Sequence, residues 1–294
     1  MEVILRRPGA FFYVLSYCRV HSKIPEPAKK MIKKAESLQT LLNRKVEEYN
    51  RPFFIDNDPI TVPHRFQKLQ DIEIAGFFAS VFAWGNRKGI IKKSLELMQL
   101  MDQAPHDFCC NHSNADLKKL LAFKHRTFNA TDLLYFISFL KMHYCKHRSL
   151  EYAFTHRMNQ ADTTTENALN GFYGYFFSLE DFPARTVKHI ASPFKHSACK
   201  RLNMYLRWMV RSDGCAVDFG LWKKIKPHQL VIPLDVHVAK VARHFQLLQR
   251  KQNDWKAATE LTSVLRQFDA KDPVKYDFAL FGTGVMENKS PHLA

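Results

Sequence analysis

The chain has 294 residues, 46% hydrophobic and 13% aromatic, enough to bury a sizeable core as one domain or two lobes. Its 44 lysines and arginines against 28 acidic residues give a formal charge of +16, which points to a polyanionic partner, nucleic acid before an anionic membrane surface. No apolar run reaches the roughly 18 residues needed to cross a bilayer. Ten glycines and few alternating apolar stretches predict a mostly helical, all-α architecture.

The six cysteines, Cys18, Cys109, Cys110, Cys145, Cys199 and Cys215, form no CxxC pair and no zinc or iron–sulfur spacing. They read as reduced cytosolic thiols, and neither a metal nor a cofactor is expected. Near the N-terminus, Phe11-Phe12-Tyr13-Val14-Leu15 follows Arg6-Arg7. It is too short for a signal peptide and lacks a good cleavage site. Residues 1–30 therefore read as an extension upstream of the true start, with an amphipathic helix opening at Met31 and carrying Ala35, Leu38, Leu41, Leu42 and Val46.

The proline-marked stretch from Arg51 to Phe66 predicts a long loop, a place where function often resides. From Asp71 to Trp84 the chain is apolar nearly all round, as suits a helix at the centre of a bundle. Gly85-Asn86-Arg87-Lys88-Gly89 ends it, and its cations either sit in solvent or meet a phosphate backbone. Amphipathic segments follow at Ile90–Met101, Asp116–Phe123, Thr131–Tyr144 and Thr165–Leu179. Basic and aromatic residues interleave at Phe123-Lys124-His125-Arg126-Thr127-Phe128, either as a groove for an unstacked strand or as a helix end over a core.

Ser192-Pro193-Phe194-Lys195-His196-Ser197 predicts a short turn between two helices, Ser197 capping the second. That helix buries Leu202, Tyr205, Leu206 and Met209 and leaves Arg201, Arg207 and Arg211 on other faces. Its start, with free amides and a lysine, suits a phosphate. Residues 212–233 are irregular or briefly helical. In Ile232-Pro233-Leu234-Asp235-Val236-His237-Val238, Asp235 reads as the cap of a helix with Val238, Val241, Ala242, Phe245 and Leu248 on one stripe. Amide hydrogen bonds there favour the ionised carboxylate. Two last helices follow, one capped by Asp254 and one running from Asp272-Pro273 through Phe281. Gly282 and Gly284 end the fold, leaving residues 286–294 as a tail.

Three pieces, Ser197 to Met209, Ile232 to Val238 and Tyr276 to Gly282, resemble the helix-hairpin-helix (HhH-GPD) DNA glycosylase superfamily. Within it they are most similar to an uncharacterised bacterial group related to endonuclease III and 8-oxoguanine DNA glycosylase. The resemblance runs from about Met31 onward. It implies a two-lobed helical fold over residues 31–285, with a helix-hairpin-helix motif and an interlobe cleft. The hairpin lacks the Gly-X-Gly of that superfamily, and residues 212–229 look like an insertion.

The resemblance implies that Asp235 is the catalytic aspartate and Lys200 a Schiff-base lysine. The expected activity is excision of a flipped-out damaged base from duplex DNA, with or without strand cleavage. Lys195, Ser197, Arg201, Arg87, Arg126 and Arg65 are the expected DNA contacts, and His237 supports the catalytic pair from behind. Trp84, Phe128, Trp208 and Trp222 are aromatic candidates for stacking on a base, or for the core. A monomer in the bacterial cytoplasm, associated with the nucleoid, is the expected setting. The competing reading is a DNA- or RNA-binding protein that keeps the fold without the chemistry.

Overall fold

A segment that is apolar on every side must lie inside, and the helix that follows Lys68 does so, with other helices laid against it. The computed structural model describes residues 26–286, with side chains placed from 38 to 284. Residues 1–25 of the predicted extension and the tail from residue 287 fall outside the described residues. The chain divides into two units, one ending at Leu38 and one beginning at Gln39; apart from the first part of the opening helix, the second carries every element described below. The architecture is mostly helical, and among the described residues no helix is long and apolar enough to cross a membrane.

Helix α1 (Glu26–Tyr49) starts ahead of Met31, the position predicted for its opening. Where the prolines predict a long non-helical loop, the chain winds into three 3₁₀ turns, Pro52–Asn57, Pro59–Thr61 and Pro63–Arg65. Proline opens each one, at the position where a missing N–H costs nothing. Phe54, Ile60 and Val62 are buried, so this stretch is a packed wall.

Helix α2 (Leu69–Val81) is buried at every position from Asp71 onward. Its one glutamate is fully satisfied. The Glu73 carboxylate accepts hydrogen bonds from Tyr144 Oη (2.9 Å), Ser149 Oγ (2.5 Å), the Leu150 amide (3.0 Å) and Trp222 Nε1 (2.7 Å). Helix α3 (Arg87–Leu100) begins inside the predicted basic turn, because Asn86 Oδ1 accepts the Gly89 amide and caps it. Helix α4 (Pro105–Asn111), unforeseen in the sequence, is followed by α5 (Asn114–Lys119), shorter than predicted.

The basic and aromatic run from Phe123 to Phe128 is not a helix end but a small hairpin. Strands β1 (Lys124–His125) and β2 (Phe128–Asn129) pair with Lys124 opposite Asn129. Its turn places Arg126 at φ +57°. Helices α6 (Ala130–Tyr144), α7 (Glu151–Thr155) and α8 (Glu166–Phe176) follow. Phe136 of α6 is the hub of the aromatic core, 5.6 Å from Phe77, 5.2 Å from Phe128 and 4.7 Å from Phe176 between ring centroids. Such pairs add about 0.5–1.5 kcal/mol each beyond area burial.

The element ahead of the Ser192 turn is a 3₁₀ stretch, Ala184–His189, rather than an α-helix. It is tied to the start of α6 through Asp132, whose carboxylate accepts Thr186 Oγ1 at 2.8 Å and pairs with Arg185. Helix α9 (Lys200–Val210) is capped not by Ser197 but by Cys199, whose backbone is left-handed at φ +50°. Ser197 Oγ accepts the Cys199 amide instead. His196 is also left-handed, at φ +58°. Both are non-glycine residues in a region that favours glycine, spaced three apart rather than the two of a Gly-X-Gly hairpin.

Arg207 of α9 and Arg211 just past its end, placed off the apolar stripe by the sequence, are nevertheless buried, at 3% and 2% exposure. Arg207 pairs with Asp218 and Asp277, and Arg211 with Asp213, Asp218 and Asp272. Asp213 and Asp218 follow the helix closely, while Asp272 and Asp277 come from far along the chain, and the helix's own periodicity reveals none of these pairings. Helix α10 (Val236–His244) starts at its predicted cap, Asp235, and α11 (Trp255–Phe268) at Asp254. Phe245 and Leu248 of the predicted stripe lie past the end of α10. Gly282 and Gly284, predicted to end the fold, sit inside α12 (Tyr276–Met286). A Cβ on Gly282 would fall 2.2 Å from the Tyr49 ring, so glycine serves close packing there.

Candidate active site

Three helix starts meet at one cleft of about 440 Å³. Arg87 opens α3, Lys200 opens α9, and Val236 and His237 open α10; all four line it. A helix start carries the positive end of the dipole, a setting that favours a bound anion; at α10 the Asp235 carboxylate already occupies that place, and at α3 Asn86 caps the Gly89 amide. The opposite sign comes from three carboxylates on its walls, Asp58, Asp235 and Asp277.

Lys200 Nζ stands 4.0 Å from Asp235 Oδ2, with the side chains 26% and 21% exposed. That is ion-pair range, longer than a hydrogen bond. Asp235 Oδ1 accepts the amides of His237 and Val238, both at 2.9 Å, which holds the carboxylate in place. The cleft thus presents an amine beside a fixed anion, a pair able to attack an electrophilic carbon and to stabilise a cation developing there.

Behind this pair lies Asp277. Burial pushes its carboxyl up to about 6, with Arg207 opposing the rise and Asp235 adding to it. Asp58 is likewise raised by burial, against the hydrogen bond from the Ile60 amide and the charge of Arg207. The sequence reading missed Asp58, Asp277 and Arg207 as site residues. Asp58 sits in the proline stretch singled out for length alone, and nothing local marks the other two as neighbours.

One wall is aromatic. Trp84 lines the cleft, and its indole Nε1 is buried without a hydrogen-bond partner. Arg126 lies over the Trp84 ring, Cζ 4.6 Å from the centroid. Gly85 makes room for it: at φ +104°, a Cβ there would sit 2.2 Å from Arg126 Nη1. Arg87 is placed over the Phe281 ring at 4.6 Å. Phe128, Trp208 and Trp222 belong to the core instead.

The other predicted contacts scatter. Arg201 does line up beside Lys200 in sequence, but its guanidinium donates to the Val81 carbonyl at 2.6 Å and closes the end of α2. Lys195 is exposed and lies over the Tyr173 ring, to whose hydroxyl it donates. Ser197 is half-buried and engaged with Cys199, while Arg65 is exposed on the third 3₁₀ turn. None of these four lines the cleft. Among the described residues no cluster of three or more His, Cys, Asp or Glu side chains is arranged to hold a metal ion.

The family described as "Protein of unknown function (DUF2400)" matches residues 58–286, a span that contains most of the cleft. No helix-hairpin-helix or other glycosylase family is found, which corrects the resemblance drawn from the Ser197, Ile232 and Tyr276 pieces. Those pieces are short, and a capped helix after Pro-X-Asp is common enough in unrelated helical proteins to mislead. No curated protein and no solved structure matches the chain.

Proposed function

The chain belongs to the DUF2400 family, and we propose that this member is a DNA N-glycosylase that releases a damaged or mispaired base. The observation that carries the reading is the 4.0 Å approach of Lys200 Nζ to Asp235 Oδ2 inside one cleft. The charge of +16 supports a polyanionic substrate, and the Trp84 wall supports a flat ligand with a π-face.

In this mechanism a nucleotide is flipped into the cleft, at a cost of a few kcal/mol that is least for a damaged or mispaired base. Lys200, once its ammonium has given up a proton, donates its lone pair to C1′ of the sugar. The C1′–N bond breaks and the base departs with the electron pair, taking up a proton. Asp235 stabilises the positive charge that develops on the sugar as this bond lengthens. Opening of the C1′–O4′ bond then leaves an imine on Lys200, from which strand cleavage by elimination follows.

The finer reading of the fold goes with this proposal. The turn from Ser192 to Cys199 and the start of α9 then act as a hairpin clamp on a phosphate, the cleft lies between two helical lobes, and the protein works as a monomer at the bacterial nucleoid. A second reading, nucleic-acid binding without chemistry, draws on the same geometry, since a lysine 4.0 Å from an aspartate is also an ordinary ion pair.

Borohydride trapping on duplexes carrying 8-oxoguanine, uracil, alkylated purines, oxidised pyrimidines or an abasic site separates the two. The proposal expects a covalent adduct that disappears in Lys200→Ala. Salt-sensitive binding without adduct or base release on any of these duplexes would favour the binding protein.

A further inference from the structure

From Phe182 to Ser212, directly after Glu180-Asp181, the chain carries seven lysines and arginines and no acidic residue. Arg185, Arg207 and Arg211 are paired with carboxylates and Arg201 is turned onto the Val81 carbonyl, which leaves Lys188 and Lys195 as the exposed cations of the stretch. Along the surface of this stretch, and of α8 beside it, aromatic rings form a row. Phe182, 40% exposed, lies 5.3 Å from Phe177 between ring centroids, and Phe177 lies 4.9 Å from Tyr173. Lys195 covers the Tyr173 ring at 4.6 Å. The residue before it, Phe194, is 82% exposed, more than any other large hydrophobic among the described residues.

Phe194 is not exposed because its turn is loose. Its amide donates to Asn170 Oδ1 at 3.0 Å and to Ser192 Oγ at 3.2 Å. Ser192 Oγ in turn donates to Asn170 Oδ1 at 2.7 Å, and the His196 amide closes on the Pro193 carbonyl at 2.8 Å. The backbone is braced on both sides while the ring is left in water, forgoing the stabilisation that burial would bring. A rigid turn that presents a bare ring next to Lys195 is suited to a flat, anion-bearing partner.

We propose that the row Phe182, Phe177, Tyr173, Lys195 and Phe194 is a stacking surface for unpaired bases of a nucleic-acid strand leading to the cleft. This rests on the function proposed above and narrows its substrate to nucleic acid with an unpaired stretch beside the target. Every base offers a π-face, so such a surface is tolerant of sequence, and Lys195 and Lys188 answer the phosphates. Phe194 precedes Lys200 by six residues, at most about 20 Å of extended chain. That distance corresponds to about six nucleotide steps at ~3.4 Å each.

The test measures binding of the full chain to labelled single-stranded, gapped and fully paired oligonucleotides, alongside borohydride trapping on an abasic duplex. Single-stranded and gapped forms are expected to bind more tightly than the paired one. Phe194→Ala is expected to weaken them about tenfold, Phe194→Trp to restore them, and 2-aminopurine in the unpaired stretch to be quenched by the parent and not by Phe194→Ala. Equal affinity of Phe194→Ala and parent for single strands overturns the stacking surface. So does equal affinity of the parent for paired and unpaired forms, or a shift from dimer to monomer on losing the ring, which would assign Phe194 to a second copy of the chain. If trapping through Lys200 persists in any of these cases, the proposed function stands without the surface; if the chain binds no nucleic acid at all, both fall.

Discussion

Asp235 divides its carboxylate between two tasks: Oδ1 accepts two amides of its own helix, and Oδ2 faces Lys200 Nζ at 4.0 Å. An asparagine can do the first and not the second. Asp235→Asn is therefore expected to keep the cap, shifting stability by less than about 1 kcal/mol, while base release falls by about 10²-fold or more. Asp235→Ala is expected to lose both. Thermal melts and single-turnover release on the substrate found by trapping check this; an Asp235→Asn protein as active as the parent would remove Asp235 from the chemistry.

Arg207 sits between Asp218 and Asp277 at 3% exposure. Truncating one partner of a buried network leaves uncompensated charge, so Arg207→Ala is expected to destabilise by about 3–5 kcal/mol. Urea denaturation measures it. A loss below about 1 kcal/mol would mean that water reaches the two carboxylates in the folded protein.

Gly85 holds a backbone angle that L-residues avoid and makes room for Arg126 over Trp84. Gly85→Ala is expected to cost about 1–2 kcal/mol from the angle alone and to push Arg126 off the indole. Adding Arg126→Ala removes the clash but not the strain. The double variant should therefore recover only part of the melting temperature, and full recovery would show that the angle is not strained.

His143 is fully buried, and burial brings its imidazole down to about 4. An unfolded histidine protonates near 6.5, so between those values the unfolded chain binds a proton that the folded chain does not. The contribution of His143 is then whole above about pH 6.5 and is lost as pH falls toward 4. His143→Gln, which can still donate to the Ser149 carbonyl, should show a smaller drop in urea midpoint from pH 7 to pH 5 than the parent. An equal drop would mean that His143 titrates normally.

What the sequence discloses is what neighbours along the chain determine. Asp235 and Asp254 are legible as caps because a cap and its helix are adjacent, and α2 and α6 because their apolar patterns are long. The Lys124–Asn129 hairpin is not, since its turn lacks the glycine or asparagine that advertises a left-handed residue and uses Arg126 instead. Nor is the burial of Arg207 and Arg211, whose acids arrive from residues 213–277. Local context marks Asp235 as a cap and Lys200 as a lysine at a helix start, their pairing as a site is implied only by the resemblance, and Asp58 and Asp277 join them only once the chain is folded. The likeness of three short pieces to the glycosylase superfamily does not extend over the chain, whose match over residues 58–286 is to DUF2400.

The four donors on Glu73 come from α6, from residues 149–150 and from Trp222, and none can follow the carboxylate if α2 slides. A shift of even one residue, about 1.5 Å along the axis, would strand a charge in the core. Helix α2 is thus locked in register, and Trp84, three residues beyond its end, inherits that fixity. The aromatic wall of the cleft is thereby anchored to the core through α2, so the position of the indole depends on the carboxylate buried at Glu73.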